Sequence, residues 1–111
     1  IGPYSQAIVH GGLLFTSGQI AINPASGQVE ADTIEGQTEQ VMQNLAALLE
    51  EAGASFDSVI KTTCFLSDMA DFAAFNAIYG AYFVSKPARS CVAAKQLPKN
   101  VLVEVELIAA V

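Results

Sequence analysis

The sequence holds one arginine, one histidine, two cysteines and no tryptophan in 111 residues. His10, Cys64 and Cys91 form no close-spaced ligand set, so a zinc or iron site is not expected and no metal is assigned. A fold of this size and apolarity needs no disulfide, and both cysteines read as buried thiols. Basic residues are equally scarce: five Lys and Arg stand against eleven Asp and Glu, for a net charge of −6 and a pI near 4.4. Contact with a nucleic-acid backbone depends on clustered cations, so neither RNA nor DNA is expected as a partner. No apolar run approaches the ~18 residues that cross a bilayer, and no basic-plus-apolar leader stands in the sequence. The chain therefore reads as soluble and cytoplasmic, with no membrane partner. It starts at Ile1, and residues before it are outside this reading. Charge is sparse altogether, at 14% of residues against 52% hydrophobic. So much apolar surface calls for a cover other than water, and a homo-oligomer is the economical one. The length suits a single domain over residues 1–111.

Against that scarcity, the one arginine carries weight. Pro87-Ala88-Arg89-Ser90-Cys91-Val92 sets it among small and apolar neighbours. As a strand, this segment points Arg89 and Cys91 to one face and Ala88, Ser90 and Val92 to the other. A guanidinium is a rigid fork of donors that matches a carboxylate in bidentate fashion. The expected ligand is a small carboxylate or phosphate, although a structural ion pair with one of the acids explains Arg89 equally well at this point.

The chain opens on Ile1-Gly2-Pro3-Tyr4-Ser5-Gln6-Ala7, a Gly-Pro turn feeding a strand. Ala7 to His10 and Leu13 to Ser17, joined by Gly11-Gly12, predict a β-hairpin. Thr16-Ser17-Gly18-Gln19-Ile20 ends it with a hydroxyl and a glycine, where backbone can approach a ligand closely. Residues 23–28 are a turn by composition. From Thr33 to Ala52, the residues Ile34, Val41, Met42, Leu45, Leu48, Leu49 and Ala52 form one apolar stripe of a helix. Asp32 is its expected N-cap, Gly53 its C′ residue, and Gln37, Glu39, Gln40, Gln43, Glu50 and Glu51 its solvated face. Val59 to Leu66 is β-branched and apolar on both faces, which places it inside a sheet, with Lys61 laying its stem along the sheet and its ammonium in water. Asp71 is expected to cap a second helix carrying Phe72, Phe75, Asn76, Ile78, Tyr79, Tyr82 and Phe83. Arg89 to Lys95 is the next strand and Gln96 to Asn100 a turn. Val101 to Val111 is the last strand, with Val101, Val103, Val105 and Leu107 on an apolar face and Glu104 and Glu106 opposite. An enclosed acid on that second face would have a raised pKa and suit proton transfer near neutral pH. Two hairpin strands, helix, strand, helix and two strands give an α+β domain with one helical layer on one sheet face.

Taken together, Ile1-Gly2-Pro3-Tyr4-Ser5-Gln6-Ala7, Thr16-Ser17-Gly18-Gln19-Ile20, Val59-Ile60-Lys61-Thr62-Thr63, Pro87-Ala88-Arg89-Ser90-Cys91-Val92, Leu97-Pro98-Lys99 and Val103-Glu104-Val105-Glu106 resemble, in order, the motifs of the YjgF-type reactive intermediate deaminase (Rid) family. The resemblance implies a chorismate-mutase-like mixed sheet with two helices on one face, and a homotrimer that packs its sheets inward around three inter-subunit clefts. It also implies cofactor-free and metal-free hydrolysis of 2-imino acids or their enamine tautomers, such as 2-iminobutanoate and 2-iminopropanoate, to 2-keto acids and ammonia. Carried over by motif, Arg89 would clamp the substrate carboxylate and Glu104 would position water and relay protons. Tyr4, Ser17, Gly18, Asn76 and Cys91 would line the pocket, Cys91 through its backbone. The sequence departs from the pattern at Val84-Ser85-Lys86, a link that is short for the family. Two other readings stand beside the enzyme: a small-carboxylate binding or regulatory protein with the same clefts, and a chaperone-like role for the apolar surface. The chorismate mutase that shares the fold fits less well, because one arginine is meagre for a dicarboxylate.

Overall fold

The computed structural model describes residues 2–111. Gly11 and Gly12, at φ of 61° and 76°, supply the two left-handed residues of a tight hairpin turn between β1 (Ala7–His10) and β2 (Leu13–Thr16). The expected turn over residues 23–28 is itself the tip of a second, minimal hairpin, β3 (Ile22–Asn23) with β4 (Gln28–Val29). Two-residue strands leave no periodicity to detect. Helix α1 (Ile34–Glu51) follows, then β5 (Val59–Leu66), helix α2 (Phe72–Tyr82), β6 (Ala88–Ala93) and β7 (Val103–Ala110).

The main sheet has the order β1-β2-β7-β5-β6. All neighbours are antiparallel except β5 and β6, which the α2 crossover makes parallel. Strand β5 is interior, as its two-sided apolarity requires. The register gives the sheet two unlike faces. Thr62, Cys64 and Leu66 of β5 align with Leu107, Val105 and Val103 of β7 beneath the helices, and Leu14 joins them opposite Ala109. With Val41, Met42, Leu45 and Leu49 of α1 and Phe75 and Tyr79 of α2 they form the core. The other face carries Ile8, Phe15, Lys61, Thr63, Phe65, Val92, Glu104, Glu106 and Ile108, and Ile8, Phe15 and Val92 are exposed there.

The helix ends correct three expectations. Thr33, not Asp32, caps α1: its hydroxyl accepts the Gly36 amide at 3.0 Å. A Cβ on Gly36 would stand 3.1 Å from that hydroxyl oxygen, so glycine leaves the cap room. Asp71 makes no capping bond. Asp68 accepts the Ala70 amide instead and starts a 3-10 turn, Met69–Asp71, that runs into α2. Gln37 is buried rather than solvated. Its amide donates to the Ala31 carbonyl and accepts from the Leu102 amide, tying α1 to the entry of β7. At the other end Gly53 takes φ 74°, as a C′ glycine should. Strand β6 ends at Ala93 and β7 begins at Val103, each shorter than expected. The link Val84-Ser85-Lys86 closes as a tight turn in which the Lys86 amide donates to the Phe83 carbonyl and Lys86 takes φ 58°. Among the described residues, no helix is long and apolar enough to cross a membrane.

Candidate functional site

The expected site residues fall into two groups, and the sheet separates them. Arg89 lies opposite Thr62 on β5, whereas Glu104 lies opposite Phe65, three positions further along. An odd offset reverses the face. Arg89 is therefore under the helices and Glu104 on the open face, with Cα atoms about 14 Å apart by strand rise and spacing.

The first group is built on β6 and α2. Phe72, Asn76 and Tyr79 recur at spacings of four and three and look down on the β6 edge from one side of α2. The Arg89 guanidinium lies over both aromatic rings, 4.7 Å from the Tyr79 centroid and 5.4 Å from that of Phe72. Its Nη1 donates to Asn76 Oδ1 at 2.6 Å. No carboxylate approaches it among the described residues, so the alternative of a structural ion pair is not what the fold uses. The Tyr79 hydroxyl is paired with Thr62 Oγ1 at 2.7 Å, and burial raises its pKa. Cys91 is half-buried beside Cys64, its register partner. Both thiols are free, burial pushes Cys64 up to about 12, and burial likewise raises Cys91. A raised pKa disfavours the thiolate, the nucleophilic form, at both positions.

The second group surrounds Glu104. Strand β2 leaves β7 after Phe15 pairs with Ile108 and rejoins it where Gln19 bridges Val105. Three residues between these pairings on one side stand against two, Glu106 and Leu107, on the other, so Thr16-Ser17-Gly18 forms a bulge. The Thr16 hydroxyl takes the place of a backbone carbonyl and accepts the Leu107 amide at 3.0 Å. Gly18 is thereby pressed onto Glu104: a Cβ there would stand 2.1 Å from Glu104 Oε2. The glycine does give close approach, to a carboxyl group of its own chain. Ser17 donates to the Ser5 carbonyl at 2.6 Å and Gln19, buried, to Gln6 Oε1 at 3.0 Å, which fastens the opening loop to the bulge. Tyr4, Ser17, Gly18 and Glu104 line a cavity of about 800 Å³ that also reaches Leu48 and Lys99. Lys61, on the same open face, donates to Ser90 Oγ at 3.1 Å. Burial raises the pKa of Glu104 and the neighbouring Glu106 carboxylate adds to it. Ile1, first residue of the opening motif, lies outside the described residues.

Of the residues that the motifs assign to one pocket, a single chain brings Tyr4, Ser17, Gly18 and Glu104 to one cavity and leaves Asn76, Arg89 and Cys91 on the other side of the sheet. Sequence reasoning missed Gln6 and Gln19, which only the bulge makes important. It also missed the cradle formed by Phe72 and Tyr79, whose spacing to Asn76 was the available signal. Among the described residues no cluster of three His, Cys, Asp or Glu could hold a metal ion.

The family model described as endoribonuclease L-PSP matches residues 1–111. The chain belongs to this family. Its relatives carry different functional names. An Escherichia coli K12 protein named 2-iminobutanoate/2-iminopropanoate deaminase is 45% identical, over 98% of this chain and 88% of its own. A Lactococcus lactis protein named as a candidate regulator, AldR, is 56% identical, over 100% and 89%. Among solved structures, Escherichia coli TdcF with bound serine superposes with a TM-score of 0.93 at 40% identity, covering 100% of this chain and 90% of that one. The YjgF-type resemblance and the mixed α+β fold expected from the motifs are thus those of the family.

Proposed function

We propose that this protein is a hydrolytic deaminase that converts small 2-imino acids to 2-keto acids and ammonia, as the name of its Escherichia coli relative states for that protein. The observation that carries the reading is Arg89: a guanidinium held against two rings, with no acidic partner and most of its donors unpaired among the described residues. Such a group binds an external carboxylate. Glu104 supplies the proton chemistry. Water adds to the carbon of the protonated imine, C=NH2+, and Glu104 takes one of its protons. The same carboxyl then protonates the amino nitrogen of the carbinolamine, the C–N bond breaks to release ammonia, and Glu104 takes the hydroxyl proton as C=O forms and passes it to the ammonia, so that iminium plus water gives ketone plus ammonium. An imine carbon is already electrophilic, and orientation with one proton relay is sufficient. Tyr4, Ser17 and Gly18 frame this side and Cys91 offers its backbone on the other. A role in RNA cleavage fits poorly with a net charge of −6 and five basic residues.

Because Arg89 and Glu104 of one chain face opposite sides of the sheet, the reading requires two copies to complete each site. The exposed apolar residues Ile8, Phe15 and Val92 on the open face support self-association, which we assign to a homotrimer. The test is keto-acid release from 2-iminobutanoate generated in situ. Wild type should accelerate it, while Arg89→Ala and Glu104→Gln should each fail. Co-refolding the two inactive variants in equal amounts should restore about a quarter of the sites, since random pairing in a closed ring of like interfaces reunites intact halves with that frequency. No acceleration by wild type would leave a carboxylate-binding protein, and no recovery in the mixture would refute sharing between copies.

Gly18→Ala offers a milder perturbation. Its Cβ would collide first with the Glu104 carboxyl, a movable side-chain end. We expect kcat to fall roughly tenfold to a hundredfold through displacement of Glu104, with the thermal midpoint nearly unchanged. Wild-type kcat would show that Glu104 needs no fixed position.

A further inference from the structure

The α2 face above β6 supports Arg89 with two aromatic rings and one amide oxygen, and among the described residues none of that support comes from an acid. Phe72, Asn76 and Tyr79 stand at i, i+4 and i+7 and meet the guanidinium by ring, amide oxygen and ring in turn. Tyr79 is itself immobilised from two sides. Its hydroxyl pairs with Thr62, the residue register-paired with Arg89, and its ring stacks on Phe83 at 4.3 Å and packs on Phe75 at 5.5 Å. A long flexible side chain on an edge strand would ordinarily sample several rotamers and lose that freedom on binding. Here the rings hold the guanidinium in place by cation–π attraction, and Asn76 engages one Nη1 hydrogen. The remaining N–H groups have no partner among the described residues and are open to a ligand.

We infer that Phe72 and Tyr79 are positioning residues which, with Asn76, preset the Arg89 guanidinium for carboxylate capture. Binding then costs little ordering of the arginine, and the energy appears as affinity. This inference rests on Arg89 being the carboxylate anchor, but it assigns the cradle, which that reading does not need.

The predicted signature is a division between KM and kcat. Tyr79→Leu and Phe72→Leu should each raise KM for 2-iminobutanoate by about threefold to thirtyfold, the range cation–π support spans, with kcat changed little. Tyr79→Phe keeps the ring and loses only the bond to Thr62, so it should rescue KM while lowering stability. A second readout needs no turnover. The chain has a single arginine, so its Hε–Nε pair gives one NMR resonance, shifted by the two rings away from the position of free arginine. That shift should persist in Tyr79→Phe and shrink in both leucine variants. Equal KM in the leucine variants and wild type, equal losses in Tyr79→Phe and Tyr79→Leu, or a free-arginine shift in wild type would each overturn the inference. If Arg89→Ala leaves KM unchanged, the anchor reading itself fails. If Arg89→Ala raises KM and the ring deletions do not, only the cradle falls.

Discussion

Replacing Arg89 by alanine should lower kcat/KM for 2-iminobutanoate by two to three orders of magnitude. Each charge-assisted hydrogen bond contributes about 1.5–3 kcal/mol, and a bidentate pair that is partly open to water about 3–4 kcal/mol together, which is roughly 200- to 900-fold. Most of the loss should fall in KM, because the carboxylate is held alike in the bound substrate and in the transition state. Arg89→Lys should recover little of it: an ammonium lacks the planar fork and cannot lie on the rings of Phe72 and Tyr79 with the same geometry. Added guanidinium ion should partly restore Arg89→Ala, since the space between the rings and Asn76 Oδ1 remains. Arg89 touches no acid among the described residues, so its removal strands no buried charge and the variant should fold. A kcat/KM within threefold of wild type would dismiss Arg89 as the anchor and with it the proposed selectivity for carboxylated imines.

Glu104→Gln should act on the other parameter. With a proton relay removed and the side-chain volume kept, kcat should fall by about 10²- to 10⁴-fold while KM stays near its wild-type value. Folding is not expected to suffer. Burial raises the pKa of Glu104 in the folded chain, with Glu106 adding to it. A raised carboxyl contributes stability below the unfolded pKa and loses it as pH rises through the folded one, so at neutral pH an uncharged glutamine should be no less stable than the carboxylate. The same shift governs the pH profile. Water addition needs the ionised form, so the acidic limb of kcat should lie above the ordinary glutamate range. Glu106→Gln should move that limb toward lower pH without returning it fully, because burial, the larger cause, remains. A limb unmoved in Glu106→Gln, or unchanged kcat in Glu104→Gln, would remove Glu104 from the chemistry.

The misplaced helix caps show where local reading stops. Asp32 and Thr33 are adjacent and both are good caps, and Asp68 and Asp71 are three residues apart. The choice between them depends on the direction in which the chain enters the helix, which is set by packing, and nothing in the local pattern carries that information. Gln37 makes the same point from the inside of the molecule. Its polarity assigns it to water, but the Ala31 carbonyl and Leu102 amide await it 6 and 65 positions away in the chain.

What the sequence determined by itself is what depends on period and on chemical type. The 3.6-residue stripe from Ile34 to Leu49, the alternation from Val103 to Ile108, the glycines of the first turn and of the α1 terminus, and the isolation of Arg89 were all legible, because each is imposed by neighbours a few residues away. Its motifs also carried the family. Only the tertiary structure decided which residues meet. The register on β5 puts Arg89 and Glu104 on opposite faces, a relation that arises from pairing three strands distant in sequence. The bulge at Thr16-Ser17-Gly18 delivers Gly18 to Glu104, and α2 lays two rings over Arg89. Those contacts are long-range, and a one-residue slip in any strand would undo them.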